Sequence, residues 1–293
     1  MLQAGNLVKN LIRDFHEKLA GIYPEQEIRQ ILYMLFDEYL GWTKTRVHLS
    51  LDAEIHEPEM NSFKLALGEL VTGKPIQYIL RKAWFNETLL KVGPGVLVPR
   101  PETEELCSII QADHHEQQDQ HFSILDVGTG SGCIAIDLKK KFPFSSVTAI
   151  DNSIQALEIA VENAFSNNCD VIFMHVDILN QSQWKAMGKY NLVVSNPPYI
   201  AESEKRQLHR NVIGFEPANA LFVSDDDPLI FYRAICGFAC THLISTGSLY
   251  FEINERFGRE VCELLVSFGF ENVKILKDFH DRERFTSAKF KSR

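Results

Sequence analysis

Ile124-Leu125-Asp126-Val127-Gly128-Thr129-Gly130-Ser131-Gly132-Cys133-Ile134-Ala135-Ile136 joins a short apolar run to a glycine-rich turn and then to a helical pattern. The run is too short and too apolar for a surface helix and reads as a buried strand. The same alternation continues downstream. Strands are expected at 124–127, 147–150, 171–175, 190–195, 248–253 and 272–276, with helices near 133–141, 154–166, 229–243 and 258–268. Strand–helix–strand repetition of this kind predicts an α/β fold with a mostly parallel sheet covered on both faces. Ligands in such sheets bind beyond the carboxyl ends of the strands. The loops after residues 127, 150 and 195 are therefore expected to share one site.

The first of these loops lacks the features of a phosphate clamp. A dinucleotide fingerprint starting at Gly128 would need glycine at 133, where Cys133 stands, and no Lys-Ser/Thr pair follows as in a P-loop. Gly128, Gly130 and Gly132, with Thr129 and Ser131 between them, favour a ligand lying against bare backbone without a pyrophosphate. S-adenosylmethionine (SAM) is such a ligand. Asp151, at the end of the next expected strand, is placed to accept hydrogen bonds from two ribose hydroxyls. Its alternative role is to cap the helix beginning near Ser153, which Ser153 can do equally well. Asp177 follows the third strand and is placed to meet an adenine amine, with Ile178 beside it. A surface turn aspartate would have the same sequence.

The loop after residue 195 reads Asn196-Pro197-Pro198-Tyr199. Neither proline can donate to a sheet ladder and both fix φ near −65°, so the chain leaves the sheet there as a stiff, extended turn. Such a turn presents the Asn196 carboxamide, the carbonyls around Pro197 and Pro198, and the Tyr199 ring in a preset arrangement. Carbonyl oxygens beside an aromatic face suit a planar group carrying an NH₂. Such nitrogens are poor nucleophiles because their lone pair is delocalised. Glycine loop, acidic strand end and Asn-Pro-Pro-Tyr, in that order, resemble SAM-dependent methyltransferases that modify planar NH₂ groups. The resemblance implies that Asn196 Oδ1 and a proline carbonyl accept the two N–H bonds, aim the nitrogen at the methyl group and stabilise the charge that develops on it. The motif leaves the amine open: adenine, guanine or a glutamine side chain.

Upstream, residues 1 to about 75 carry helical periodicity. Leu7, Leu11, Phe15 and Leu19 recur at every fourth position, and Ile28, Leu32, Leu35, Phe36 and Leu40 follow. Pro24 fits a first helical position, and a third helix is expected from Pro58 to Thr72, ending at Gly73. Residues 76–100 switch to alternation with turn signals and suggest a β-hairpin linker. Pro99-Arg100-Pro101-Glu102 follows, with Pro101 or Thr103 opening a helix. Pro99 and Pro101 stiffen this segment, which by itself reads as a rigid linker. The polar segment from Gln111 to His121 reads as an exposed loop, its three histidines without a paired ligand set; no metal site is expected.

The net charge of −9 argues against binding that relies on neutralising phosphates. Residues 1–80 hold eight Lys/Arg against eleven Asp/Glu, so no basic face is evident there. Six cysteines without a Cys-x-x-Cys pair point to a reducing compartment. Neither a signal-peptide pattern nor a membrane-length apolar run is present, so a cytoplasmic protein is expected. The stretch from Lys277 to Arg293 is mildly basic and reads as a solvated edge.

Further segments resemble a known family. Gly73-Lys74-Pro75-Ile76-Gln77-Tyr78-Ile79, Gly95-Val96-Leu97-Val98-Pro99-Arg100-Pro101-Glu102-Thr103-Glu104, the glycine loop, Val194-Ser195-Asn196-Pro197-Pro198-Tyr199-Ile200 and Glu216-Pro217-Ala218-Asn219-Ala220-Leu221 are similar to the release-factor glutamine methyltransferases, the PrmC/HemK family. The resemblance implies an N-terminal helical domain over 1–75 that docks the substrate, a hairpin linker over 76–100, and a Rossmann-like, SAM-dependent methyltransferase domain over 101–293 with a seven-stranded sheet. It implies methylation of the glutamine of the Gly-Gly-Gln motif in class I peptide chain release factors; a monomer without stable nucleic-acid binding is expected. By position, Gly128 to Gly132, Asp151, Asp177, Ile178 and Asn196 would hold the cofactor. Asn196, Pro197 and Tyr199 would be catalytic, and Asn196 to Tyr199, Arg100 and Glu102 would meet the substrate. Three departures stand out: Ile178 where the family often has an aromatic, Asp225-Asp226-Asp227 where Asp-Gly is common, and no glycine in Asp278-Phe279-His280-Asp281-Arg282-Glu283-Arg284.

Overall fold

The computed structural model describes residues 6–207 and 210–291. Among these, residues up to 81 together with 210–215 form one compact unit, and 82–207 with 216–291 form a second.

The first unit is helical: α1 (Val8–Leu19), α2 (Glu25–Leu40), α3 (Lys44–Leu49), α4 (Glu57–Val71) and α5 (Ile76–Leu80). Leu11, Phe15 and Leu19 of α1 are buried, as are Ile28, Leu32, Leu35 and Phe36 of α2, so the fourth-residue spacing marks the core stripe. Pro24 sits at the N-cap of α2, one position earlier than expected. Gly73 follows α4 with φ +89°, the left-handed conformation of a helix-terminating glycine. The segment Gln77 to Leu80 departs from its reading as part of a hairpin. Pro75 caps a short helix instead, with Tyr78 N and Ile79 N returning to its carbonyl. Five residues are too few to separate a period of 2 from one of 3.6.

The second unit begins with the hairpin β1 (Lys82–Phe85) and β2 (Thr88–Lys91) and continues with α6 (Pro101–Asp113). There follow β3 (Ser123–Val127), α7 (Cys133–Lys141), β4 (Ser146–Asp151), α8 (Ile154–Ser166), β5 (Val171–His175), β6 (Tyr190–Ser195) and the short β7 (Ile200–Ala201). Past α9 (Arg210–Phe215), which belongs to the helical unit, come α10 (Ala218–Leu221), β8 (Phe222–Val223), α11 (Ile230–His242), β9 (Leu243–Glu252), α12 (Gly258–Ser267), β10 (Phe270–Lys277) and β11 (Glu283–Phe290). The main sheet has seven strands in the order β10-β11-β9-β6-β3-β4-β5. β11 runs antiparallel to both of its neighbours and the remaining pairs are parallel. The chain moves outward from β3 to β4 and β5, then crosses back to β6 and β9. The winding therefore reverses between β3 and β6, and the crevice lies where those two strands end.

Two expectations are corrected. The Lys277–Arg293 stretch is not a solvated edge: it contributes β11, whose Phe285, Thr286, Ser287 and Ala288 are buried between β9 and β10. Counting charges obscured it, because the buried four are small or apolar and the charges flank them. The segment from Gln111 is not wholly an exposed loop either. Helix α6 runs on to Asp113, and His114 is buried, its Nε2 3.1 Å from Ser248 Oγ and 3.3 Å from Tyr250 Oη.

Burial, assisted by the Lys289 charge, pushes the His114 pKa from its ordinary 6.5 down to about 4. The unfolded chain therefore binds this proton at a higher pH than the folded one. His114 supports the fold fully above pH 6.5, and that support is lost as pH falls toward 4, by at most about 1.4 kcal/mol per pH unit. Asp126 and Glu252, both pushed up to about 7 by burial, act in the opposite sense as pH falls below 7. The effect is thus read as a difference between proteins. His114→Gln is expected to lose less of its urea midpoint between about pH 6.5 and pH 4.5 than the parent chain. Equal losses would show that His114 does not carry this dependence.

Candidate active site

The glycine loop leaves β3 at Val127 and is tied to the end of β4. Gly128 N and Thr129 N donate to Ile150 O at 2.9 and 3.0 Å, and Gly130 N donates to Asp151 Oδ2 at 2.9 Å. Gly128 and Gly130 have φ of +74° and +55°, and a Cβ on either would meet no other protein atom within 4 Å. Both face open space that a side chain would fill. Gly132 (φ +84°) serves packing: its Cβ would lie 3.2 Å from Ala160 Cβ, so α7 and α8 approach closely there. Thr129 and Ser131 are buried within the loop and do not line the cavity. Thr129 Oγ1 donates to Asp126 Oδ2 at 2.6 Å, bracing the turn from beneath.

Asp151 lines the cavity. Ser153 is the N-cap of α8, its Oγ accepting from Ala156 N, so the helix does not need Asp151 as its cap. The carboxylate instead joins two loops, with Oδ2 on Gly130 N and Oδ1 on Ser153 N. Burial raises its pKa and these backbone donors oppose the rise. Asp177 and Ile178 also line the cavity. Asp177 Oδ1 accepts from Leu179 N and forms a local turn. Ile178 is buried and, with Ile150, Val176 and Ile235, gives the cavity an apolar wall.

Asn196, Pro197 and Pro198 line the same cavity. Asn196 Nδ2 donates to Thr103 Oγ1 at 3.1 Å, and Thr103 Oγ1 donates to Glu252 Oε2 at 2.7 Å. Tyr199 lies outside the cavity lining and packs against the core, its hydroxyl donating to Glu252 Oε1 at 3.1 Å. Burial pushes Glu252 up to about 7, and the Thr103 and Tyr199 hydroxyls oppose that rise. Tyr199 is itself raised, first by burial and then by the Glu252 charge. Asn254 Nδ2 donates to Tyr199 O, holding the exit of the loop.

Arg100 and Glu102 are not among the cavity-lining residues. Arg100 Nη2 donates to Glu216 Oε1 at 2.7 Å, and Val98 N donates to the other oxygen of this buried carboxylate at 3.2 Å. This pair joins the Val98–Arg100 segment to the Glu216–Leu221 segment. Gly95, Val96 and Leu97 from one and Asn219 and Ala220 from the other form part of the cavity wall. Glu102 lies in the first turn of α6, where a carboxylate complements the helix N-terminus.

The cavity holds about 780 Å³, including space open to solvent. The three expected loops meet in it, joined by the loop after β5. Sequence reasoning missed Phe231, which supplies an aromatic ring from α11, and it missed Thr103 and Glu252. Glu252 had a signal: it is a lone carboxylate closing the apolar run Leu249-Tyr250-Phe251. Among the described residues no cluster of His, Cys, Asp or Glu is arranged to hold a metal, and no helix is long and apolar enough to cross a membrane.

Residues 106–221 match the methyltransferase small domain, and residues 10–80 match the PrmC N-terminal domain. The chain is similar to the release factor glutamine methyltransferase of Flavobacterium psychrophilum, 39% identical over 97% of this chain and 100% of that one. It is 35% identical to the Bacteroides thetaiotaomicron protein of the same description, over 93% of this chain and 96% of that one. Its fold is like that of the Thermus thermophilus 16S rRNA N2 G1207 methyltransferase, at 17% identity and a TM-score of 0.53 over 72% of this chain and 50% of that one. The likeness to the first of these relatives runs along both compact units. The chain belongs to the release factor glutamine methyltransferase family.

Proposed function

We propose that this chain transfers a methyl group from SAM to the side-chain amide nitrogen of the glutamine in the Gly-Gly-Gln motif of class I release factors. The observation that carries this reading is the placement of Asn196 on the cavity wall, with its nitrogen engaged by Thr103 and no hydrogen bond made to its oxygen among the described residues. That oxygen is an unengaged acceptor on a residue of the cavity wall. Pro197 O and Pro198 O would add further acceptors, and Tyr199, outside the cavity lining and bonded to Glu252, would brace the loop from behind.

The cavity suits SAM. Gly128 and Gly130 leave bare backbone where side chains would intrude, Asp151 offers a carboxylate for ribose hydroxyls, and Ile150, Val176, Ile178 and Phe231 offer apolar surface for an adenine. When bound, SAM supplies a sulfonium-activated methyl group, so no enzyme nucleophile is required. The work left to the chain is orientation. Asn196 Oδ1 and the proline carbonyl accept the two N–H bonds and favour the positive charge that grows on the nitrogen as it bonds to carbon. The amide nitrogen would form its bond to the methyl carbon as the S–CH₃ bond breaks, leaving S-adenosylhomocysteine, and would release one proton to solvent, restoring a neutral amide.

The helical unit is assigned the docking of the release factor, Arg100 and Glu102 the approach to the site, and the chain is read as a cytoplasmic monomer without stable nucleic-acid partners. The acidic balance supports the last point. Incubation with SAM and a recombinant class I release factor should add one methyl to the Gly-Gly-Gln peptide by mass spectrometry. Methyl found on RNA or DNA instead would overturn the assignment. Removal of residues 1–75 should raise KM for the intact factor and leave KM for SAM unchanged; an unchanged KM for the factor would remove the docking role.

A further inference from the structure

One buried carboxylate holds both ends of the Asn196–Tyr199 loop. Glu252 Oε1 takes the Tyr199 hydroxyl and Oε2 takes the Thr103 hydroxyl, which in turn meets Asn196 Nδ2. Glu252 lies at the end of β9 and is almost wholly buried, and Thr103 is buried in the first turn of α6. The chemistry of these groups dictates a direction. An ionised carboxylate only accepts hydrogen bonds, and a threonine hydroxyl has a single proton to give. With that proton committed to Glu252 at 2.7 Å, Thr103 Oγ1 can only accept from Asn196. The Asn196 carboxamide must then turn its NH₂ toward Thr103 and its oxygen toward the cavity. An unconstrained asparagine would also present its NH₂ to the cavity, where it would oppose the N–H of a substrate amide.

We propose that Glu252 and Thr103 are positioning residues that fix the Asn196 carboxamide with its oxygen toward the substrate, the carboxylate setting the threonine proton and the threonine setting the amide. The proposal rests on the reading that Asn196 accepts the substrate amide.

Protonation of Glu252 would undo the arrangement. Its own O–H could then donate to Thr103, and the threonine proton would be free to hold Asn196 Oδ1 instead. The groups that face Glu252 are the Thr103 hydroxyl and Glu102 from α6, Tyr199, the Tyr232 hydroxyl on its backbone carbonyl, and Arg284 from β11. Arg284 is shared with Asp278 at 3.4 Å. Since the ionised form is the ordering one, turnover should fall as pH drops through about 7, where burial has brought this carboxyl.

The test measures kcat, and KM for SAM, in Thr103→Val, Thr103→Ser, Glu252→Gln and Asn196→Ala on a release-factor substrate. Thr103→Val keeps shape and loses the hydroxyl. It should lower kcat by ~10-fold or more with KM for SAM within about two-fold, and Thr103→Ser should recover most of that loss. Glu252→Gln should lose the acid limb of the pH–rate profile. If Asn196→Ala is inactive while Thr103→Val turns over at the parent rate, the positioning role is overturned and the Asn196 reading survives. If Asn196→Ala is active, the underlying reading fails. Should Thr103→Val not fold, the profile of Glu252→Gln decides: an acid limb unchanged from the parent overturns the proposal.

Discussion

Asn196→Ala is expected to lower the methylation rate by at least ~100-fold, the scale of one lost catalytic hydrogen-bonding group in a preorganised site. Of the cavity-lining side chains in the third loop, Asn196 has the only carboxamide, and Pro197 and Pro198 offer only carbonyls. On the proposed reading, truncation would remove the acceptor that aims the nitrogen and the dipole that favours its developing charge, both felt mainly in the transition state. The glycine loop and Asp151 do not depend on Asn196 for their hydrogen bonds. SAM affinity, read by calorimetry, should therefore stay within a few-fold of the parent. The loss should appear in single-turnover rate. A variant that binds SAM and still turns over at the parent rate would remove Asn196 from the mechanism.

Asp151→Ala is the second large effect. On the proposed reading Asp151 accepts two ribose hydroxyls; each such bond to a carboxylate contributes about 1.5–3 kcal/mol, so losing both should raise KM for SAM by ~100-fold or more. Part of this effect acts through the protein: Gly130 N and Ser153 N lose their acceptor, and the two loops lose the group that joins them. Asp151→Asn separates the contributions, because it keeps one acceptor oxygen and most of the shape. It should fall between parent and alanine in KM, with kcat at saturating SAM near the parent value. A parent-like KM in the alanine variant would assign the ribose to another group.

The parallel core of this fold was legible because its strands are short apolar runs with helices of clear period between them. Gly128, Gly130, Asp151 and Asn196 were legible as positions, since each lies just past a strand end and topology brings those ends together. What escaped had a different origin. β11 hides between charges that mark only its flanks. Tyr199 reads as a free aromatic face in the motif, but its hydroxyl is drawn to a carboxylate 53 residues away in the chain. Phe231 belongs to a helix whose pattern announces only burial. A partnership between distant polar groups leaves no periodic trace. Glu252 could be noticed as an oddity in an apolar run, yet nothing local names Thr103 as its partner.

The position of β11 has a consequence for synthesis. It is last of the seven strands in the chain, yet it lies second in the sheet, wedged between β9 and β10. While a nascent chain is still short of residue 283, β9 presents an open ladder edge and β10 has no partner strand. The cofactor crevice at β3 and β6 can assemble from earlier segments. The buried Glu252, however, pairs in register with Phe285 and receives its roof only when the final strand arrives. Because non-local pairings form late, this edge stays open to intermolecular strand pairing until β11 docks.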